Sequence, residues 1–421
     1  MNFAEALSYL LSLGHETLTI KLGLANTETL LAALENPHQD FPAVQIAGTN
    51  GKGSTAVMLE SICRAAGIRT GLFTSPHLIS ITERISIDGE QVSEADFARL
   101  TTQVKETAEE LVKQGKMETL PTFFEQVTAI ALLAFREAKV ELAILETGLG
   151  GRLDSTTAAR ADIVAITPVA MDHEEYLGHT LAEIAAEKAA IIRPGVVAII
   201  APQQKDVLDV IVRRCEASGV APKLVEPSRH ENLSIGLRGR HQIENAATAI
   251  ALAEALGEKG FAISREAIIK GVATARHPGR LELWEGPPRI LFDGAHNPAA
   301  ARALRDYLNE FVTQPITMIF GAMRDKALTE MAAVLLPVAD QLILTELDNP
   351  RAASFDMLRL AVPGDFAQAS IHRASSADAA ARIAKEMTPA NGLICVTGSL
   401  YLVGALQQAL KESTAIAHGR A

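Results

Sequence analysis

Cysteine is scarce in this sequence. Cys63, Cys215 and Cys395 are the only three in 421 residues, widely spaced and in no metal-ligand pattern. An odd, scattered set in apolar or helical sequence excludes a disulfide scaffold and points to buried free thiols in a reducing compartment. Positive charge is in deficit too. The formal net charge of −11 argues against a nucleic-acid or anionic-membrane binder. No apolar run approaches the ~18 residues of a membrane span. The start, Met1-Asn2-Phe3-Ala4-Glu5, lacks the basic opening of a signal peptide, so a cytoplasmic location is expected. Internal repeats and low-complexity tracts are missing as well. What remains is 48% hydrophobic and 21% charged, the profile of a globular chain, and its length calls for two domains rather than one core.

Short apolar runs alternate with helical patterns almost throughout, which predicts α/β architecture with a largely parallel sheet. Strands are expected at 44–47, 70–73, 142–146, 163–167 and 196–201, with helices at 94–113, 123–139, 181–192 and 245–256. His277-Pro278-Gly279-Arg280 interrupts the rhythm and reads as a hinge. A second series follows at 289–292, 316–320, 341–345 and 393–396, whose runs end at Asp293, Gly321, Glu346 and Thr397. Ligands of open parallel sheets bind outside the carboxyl ends of strands, so these four positions are expected along one edge. The loops 74–83 and 148–160 are long enough to suggest function.

The most informative stretch is Gly48-Thr49-Asn50-Gly51-Lys52-Gly53-Ser54-Thr55, between the apolar run Ala43–Ala47 and the helical pattern Ala56-Val57-Met58-Leu59. Strand, glycine-rich turn and helix start make the setting of a phosphate-binding loop. Glycines let N–H groups converge on an anion, and the helix N-terminus adds partial positive charge. Lys52 would meet the β/γ-phosphates, and Ser54 or Thr55 a Mg²⁺ shell. A plain tight turn does not explain the crowding of Lys, Ser and Thr.

Glu146 ends an expected strand before a glycine-rich turn, a place for a metal ligand or a water-positioning group. His173, in Asp172-His173, follows the next strand and is open to a metal-ligand or a structural role. Ser75 brings a hydroxyl to the same edge. Lys188 sits in the middle of an apolar helical stripe with Leu181, Ile184, Ala185, Ile191 and Ile192. A lysine there either snorkels or is desolvated, and a desolvated neutral amine reacts with CO₂ to give an anionic carbamate. Asn245 reads as a base contact or, as is common, a helix-surface residue. Asp293 reads as a ribose or metal contact, or as a turn former.

Together these segments resemble the folylpolyglutamate synthase/dihydrofolate synthase family, within the Mur ligase superfamily. The resemblance rests on Gly48–Ser54, Thr74-Ser-Pro-His-Leu78, Thr147-Gly-Leu-Gly-Gly-Arg-Leu-Asp154, Asp172-His173, Glu187-Lys-Ala189, His277-Pro-Gly-Arg280 and Asp293-Gly-Ala-His-Asn297, in the family's order. It implies an N-terminal P-loop-type mononucleotide-binding ATPase domain, residues 1–278, and a smaller C-terminal Rossmann-like α/β domain, 279–421. It also implies a monomeric ATP-dependent amide ligase acting on dihydropteroate, reduced folates and L-glutamate.

By the same resemblance, Thr49, Asn50, Gly51, Lys52, Gly53, Ser54 and Thr55 hold ATP, with Asn245, Arg280 and Asp293. Ser75, Glu146 and His173 match the family's Mg²⁺ ligands, with two ions expected. Lys188 matches its carbamylated lysine, and Lys52, Lys188 and His173 form the catalytic set. Thr122, Phe123, Phe124, Glu125, Leu153 and Asp154 align with pterin-binding segments, and the Leu22-Gly23-Leu24 loop with a cover for them. Ser399 and Tyr401 are candidates for gripping glutamate. Two departures are visible. Leu153-Asp154-Ser155-Thr156-Thr157 stands where the family usually has Leu-Asp-Ala-Thr-Asn, and Glu187-Lys188-Ala189-Ala190 where it usually has Glu-Lys-Ala-Gly. A cell-wall Mur ligase is the nearest rival, but 47 residues before the loop are too few for a UDP-binding domain. A nucleotide-switch protein would not need the second α/β domain.

Overall fold

Strands buried on both faces of a parallel sheet need near-continuous apolar sequence, and the runs predicted above supply it. The computed structural model describes residues 1–14, 23–230 and 233–419. It forms two compact units, Met1–Gly236 with Gln242–Arg276, and Leu237–His241 with His277–Ala421.

The first unit carries strands β1 (Ala43–Ala47), β2 (Thr70–Phe73), β3 (Ile85–Ile87), β4 (Glu90–Gln91), β5 (Leu142–Glu146), β6 (Ile163–Ile166), β7 (Val197–Ile200) and β8 (Pro222–Leu224). They form one sheet of order β4-β3-β2-β5-β1-β6-β7-β8. All neighbours from β2 to β8 run parallel, and β3 and β4 add an antiparallel edge. Every residue of β1, β2, β5 and β6 is buried. The Phe123–Glu137 helix is buried around nearly its whole circumference, from Glu125 through Phe135 without a break. It is a core helix, and Thr122 and Glu125 close its start as a capping box.

The second unit contains β9 (Glu282–Trp284), β10 (Arg289–Phe292), β11 (Ile316–Phe320), β12 (Gln341–Thr345), β13 (Ile371–Ala374) and β14 (Leu393–Thr397), in the order β13-β12-β11-β14-β10-β9. Only β9 is antiparallel. Asp293, Gly321, Glu346 and Thr397 therefore all lie at the carboxyl edge of one parallel sheet, as expected. All three cysteines are buried and free, and burial pushes the Cys63 thiol up to about 12.

Candidate active site

Residues 48–55 span the join between β1 and the Lys52–Ala65 helix. Two glycines are sterically required there. Gly51 caps the helix at φ 87°, in the left-handed region, and a Cβ on it would strike the Asn245 side-chain oxygen. A Cβ on Gly48 would strike the Thr167 hydroxyl. The loop is fastened from outside. The Thr49 and Asn50 N–H groups both donate to the Pro168 carbonyl, at 3.0 and 3.1 Å. Thr49 Oγ1 donates to the Ala170 carbonyl and accepts the Ala170 N–H, each at 3.0 Å.

The helix end is the part of the loop suited to an anion, since first-turn N–H groups lack intrahelical acceptors and the dipole adds positive charge there. Gly53 and Ser54 occupy that turn. Lys52 Nζ donates to the Thr49 carbonyl at 3.2 Å, keeping its charge at the loop. Gln242 Nε2 donates to Ser54 Oγ at 3.4 Å, and Asn245 Nδ2 donates to Gln242 Oε1 at 2.9 Å. Thr55 Oγ1 is buried without a hydrogen-bond partner, as is Thr147 Oγ1. Buried orphan hydroxyls are uncommon and suit groups that take a partner from a ligand.

Glu146 ends β5 beside Ile46 of β1. Its Oε2 accepts the Ser75 N–H at 3.1 Å, which brings two of the proposed metal ligands together. Asp172 and His173 follow β6 on the segment whose beginning, Pro168, fastens the glycine-rich loop. His173 stands at φ 51°, its N–H donates to Asp172 Oδ1 at 2.9 Å, and its Nε2 lies 4.0 Å from that oxygen. Among the described residues no three His, Cys, Asp or Glu side chains converge as a metal cage. Mg²⁺ is commonly held by one or two carboxylates plus phosphates and water, so the Glu146–Ser75 pair suits that cation without a cage.

Lys188 does not snorkel. It is 4% exposed, and its Nζ donates to the Gly48 carbonyl at 2.9 Å. Burial first, then the Lys52 charge, draws its pKa down to about 7, against opposition from Asp172 and Asp154. The amine is therefore partly neutral at physiological pH.

The pterin-binding candidates divide. Thr122 and Glu125 spend their side chains on the helix cap, and Glu125 Oε1 also accepts from Thr27 Oγ1 at 3.2 Å. Phe123 enters the hydrophobic core with the Arg84 guanidinium 5.4 Å from its ring centroid. Phe124 is partly buried, 5.8 Å from the Phe73 ring and packed where Gly148 has no Cβ. Asp154 Oδ2 accepts the Gly148 and Leu149 N–H groups at 2.9 Å each, and Oδ1 accepts the N–H and hydroxyl of Thr156. Burial pushes its carboxyl upward, with those hydrogen bonds opposing. Leu153 beside it is half-buried. Leu22 lies outside the described residues; Gly23 and Leu24 lead into the Ala25–Ala33 helix.

In the second unit, Asp293 accepts the Leu281 and Ala295 N–H groups at 3.0 Å each, and Arg280 Nη1 donates to the Gly294 carbonyl at 3.4 Å. Burial raises the Asp293 carboxyl, with Arg280 opposing. Burial and Arg280 together hold His277 down at about 3 and His241 at about 4, so both rings are neutral. Ser399 is buried, its Oγ accepting the Tyr401 N–H at 3.2 Å. Thr397 Oγ1 has no partner.

Sequence reasoning missed Thr147, Gln242 and the Pro168 carbonyl. Gln242 was findable, since it stands three residues before Asn245 and shares its helix face. A backbone carbonyl carries no sequence signal.

Two protein families match the chain, the Mur ligase middle domain over residues 46–210 and the Mur ligase glutamate ligase domain over 279–400. A Halobacterium salinarum protein, named a probable bifunctional folylpolyglutamate synthase/dihydropteroate synthase, is 36% identical over 96% of this chain, which spans only 51% of that relative. The Bacillus subtilis dihydrofolate synthase/folylpolyglutamate synthase is 34% identical over 93% of this chain and 96% of its own length. The Escherichia coli FolC structure, solved with DHPP and ADP, is 30% identical, superposes with a TM-score of 0.87, and is matched over 98% of this chain and 99% of that one. With glycine-rich loop, strand-end carboxylate and second α/β unit all in place, the chain belongs to the folylpolyglutamate synthase/dihydrofolate synthase family of Mur ligases.

Proposed function

We propose that this chain is an ATP-dependent amide ligase that joins L-glutamate to dihydropteroate, to the glutamate tail of reduced folates, or to both. The observation that carries the reading is the adjacency, at one sheet edge, of a fastened glycine-rich loop after β1 and the Glu146–Ser75 pair, Glu146 ending β5 and Ser75 following β2. The E. coli neighbour, solved with DHPP and ADP, supports the substrate classes.

A carboxylate is a poor acyl donor, so its oxygen first attacks the γ-phosphorus of ATP, forming an acyl phosphate and releasing ADP. Lys52 and the first-turn N–H groups of the Lys52–Ala65 helix offset charge on the transferring phosphoryl oxygens. The glutamate amine then attacks the acyl carbon, loses a proton, and phosphate leaves. No protein nucleophile is required, and the chain contributes positioning and charge neutralisation. Thr49, Asn50 and Gly51 shape the loop, Ser54 and Thr55 place hydroxyls at it, and Asn245, Arg280 and Asp293 contact the nucleoside. Phe124 and Leu153 line the pterin site, with Phe123, Thr122, Glu125 and Asp154 holding its walls. Ser75, Glu146 and His173 would hold Mg²⁺, and Lys188, as a carbamate, a second ion. Bound there, the cations supply further neutralisation of phosphate charge. The neutral Lys188 amine attacks CO₂ and sheds a proton, and the resulting carbamate keeps an N–H for the Gly48 carbonyl.

The proposal also makes residues 1–278 and 279–421 the two working domains of a cytoplasmic monomer. No helix among the described residues is long and apolar enough to cross a membrane.

Phosphate release with dihydropteroate, then tetrahydrofolate, then a muramyl nucleotide, each with ATP and its amino acid, tests the reading. Turnover with the muramyl nucleotide alone refutes it. Glu146→Gln keeps the shape and removes the charge, so about 10²-fold loss of activity is expected, with the Mg²⁺ requirement moved to higher concentration. An unchanged Mg²⁺ titration excludes Glu146 from the metal site.

A further inference from the structure

At the opposite edge of the first unit's sheet, where β1 and β6 begin, there is a cavity of about 570 Å³. That volume falls within the range of small-molecule sites, about 300–1,000 Å³. Ala43, the first residue of β1, and Asp162, just before β6, both line it, so it lies away from the strand ends that carry the glycine-rich loop. Leu31 and Phe41 give it a buried apolar side. Glu28, His38, Arg160 and Asp162 give it polar walls.

Three observations point to a ligand. His38 Nδ1 is buried with no hydrogen-bond partner, although it lines an open cavity. Burial first, then the Arg160 charge, lowers its pKa against Asp40 and Glu28, which favours the ring form with one donor and one acceptor. The lining pairs one guanidinium with two carboxylates, Arg160 lying 3.6 Å from Glu28, so both signs of charge meet in one space. A lone anion or cation matches half of that wall; a molecule carrying both matches all of it.

The lining is also wired to the pterin segments. Thr27, next to Glu28, donates to Glu125 Oε1, and Glu125 Oε2 accepts the Thr122 N–H at 2.7 Å. Asp154, which holds Gly148 and Leu149, caps the 3-10 turn Ser155–Ala159, and that turn runs directly into Arg160.

We propose that this cavity is an effector site for a small zwitterion, an α-amino acid with an apolar side chain. Its carboxylate meets Arg160 and His38, its ammonium Glu28 and Asp162, and its side chain Leu31 and Phe41. Occupancy alters affinity for the pteroate substrate through the Ala25–Ala33 helix and the Ser155–Ala159 turn; this second half rests on the proposed function, the binding itself does not.

Calorimetric titration of the full chain with L-phenylalanine, phenylacetate and phenethylamine tests binding without any turnover. Saturable binding of L-phenylalanine, at least tenfold tighter than either single-charge analogue, is expected. Arg160 stands at φ 52°, which asparagine tolerates, so Arg160→Asn is the variant of choice. It should weaken that binding tenfold or more while ADP binding persists. Absent saturation, equal affinity for a single-charge analogue, or a smaller loss in Arg160→Asn overturns the site. With dihydropteroate as substrate, saturating L-phenylalanine should shift KM at least twofold at constant kcat. An unmoved KM overturns the coupling. Positive calorimetry with no ligase turnover at all would instead count against the proposed function and leave the site standing.

Discussion

Lys52→Ala should lower ATP-dependent amide formation by about 10²–10³-fold or more, the scale on which removal of one preorganised charge-stabilising group acts. The γ-phosphoryl group spreads negative charge over three oxygens as it moves, and the loop has few other groups to meet it. Two of its N–H groups, those of Thr49 and Asn50, are already committed to the Pro168 carbonyl. Lys52 Nζ rests on the Thr49 carbonyl, a neutral acceptor that a phosphate would readily outcompete. Alanine is the best helix former, so the first helical turn should survive and circular dichroism should be unchanged. Turnover within tenfold of the wild type would remove Lys52 from the mechanism.

Lys188→Ala is expected to be nearly as severe for activity and to act oppositely on folding. An ammonium buried beside another cation, Lys52, is an electrostatic cost, and alanine removes it. The variant should therefore lose activity without losing stability near neutral pH, which a merely structural lysine would not do. Acetate or another short-chain carboxylate should restore part of the activity by supplying the anion a carbamate would carry. Wild-type rates in the variant would exclude that function. Stability against pH offers a second readout, measured free of CO₂. The folded-state pKa of Lys188 is about 7 against an ordinary 10.5, so the unfolded chain binds more protons across that window. Native stability should rise with pH from about 7 toward the ordinary lysine range, and the variant should lack that slope.

Much of the architecture was legible because parallel strands buried on both faces announce themselves as apolar runs. β1, β2, β5, β6 and β7 fall on the predicted stretches to within two residues, and the Glu94–Lys113 helix falls on its prediction. The β3–β4 hairpin and β9 were not legible, since two or three residues of mixed polarity on an antiparallel edge leave no period to detect. Lys188 stood out as a charge on an apolar stripe, and its burial follows. The candidate pterin segment was harder. Thr122, Phe123, Phe124 and Glu125 are contiguous in sequence, but a helix turns about 100° per residue. Phe123 is thereby sent into the core and Phe124 toward Gly148, while the flanking pair closes the helix end. Adjacent letters then do different jobs, and only the fold sorts them.

One carbonyl oxygen, that of Pro168, accepts both Thr49 and Asn50. The chain that leaves this oxygen reaches Asp172 and His173 four and five residues later. A nucleotide bound at the proposed site would meet a loop that these two hydrogen bonds already hold in shape. The same latch ties the loop to the segment bearing His173, so moving one without the other would break both of these hydrogen bonds.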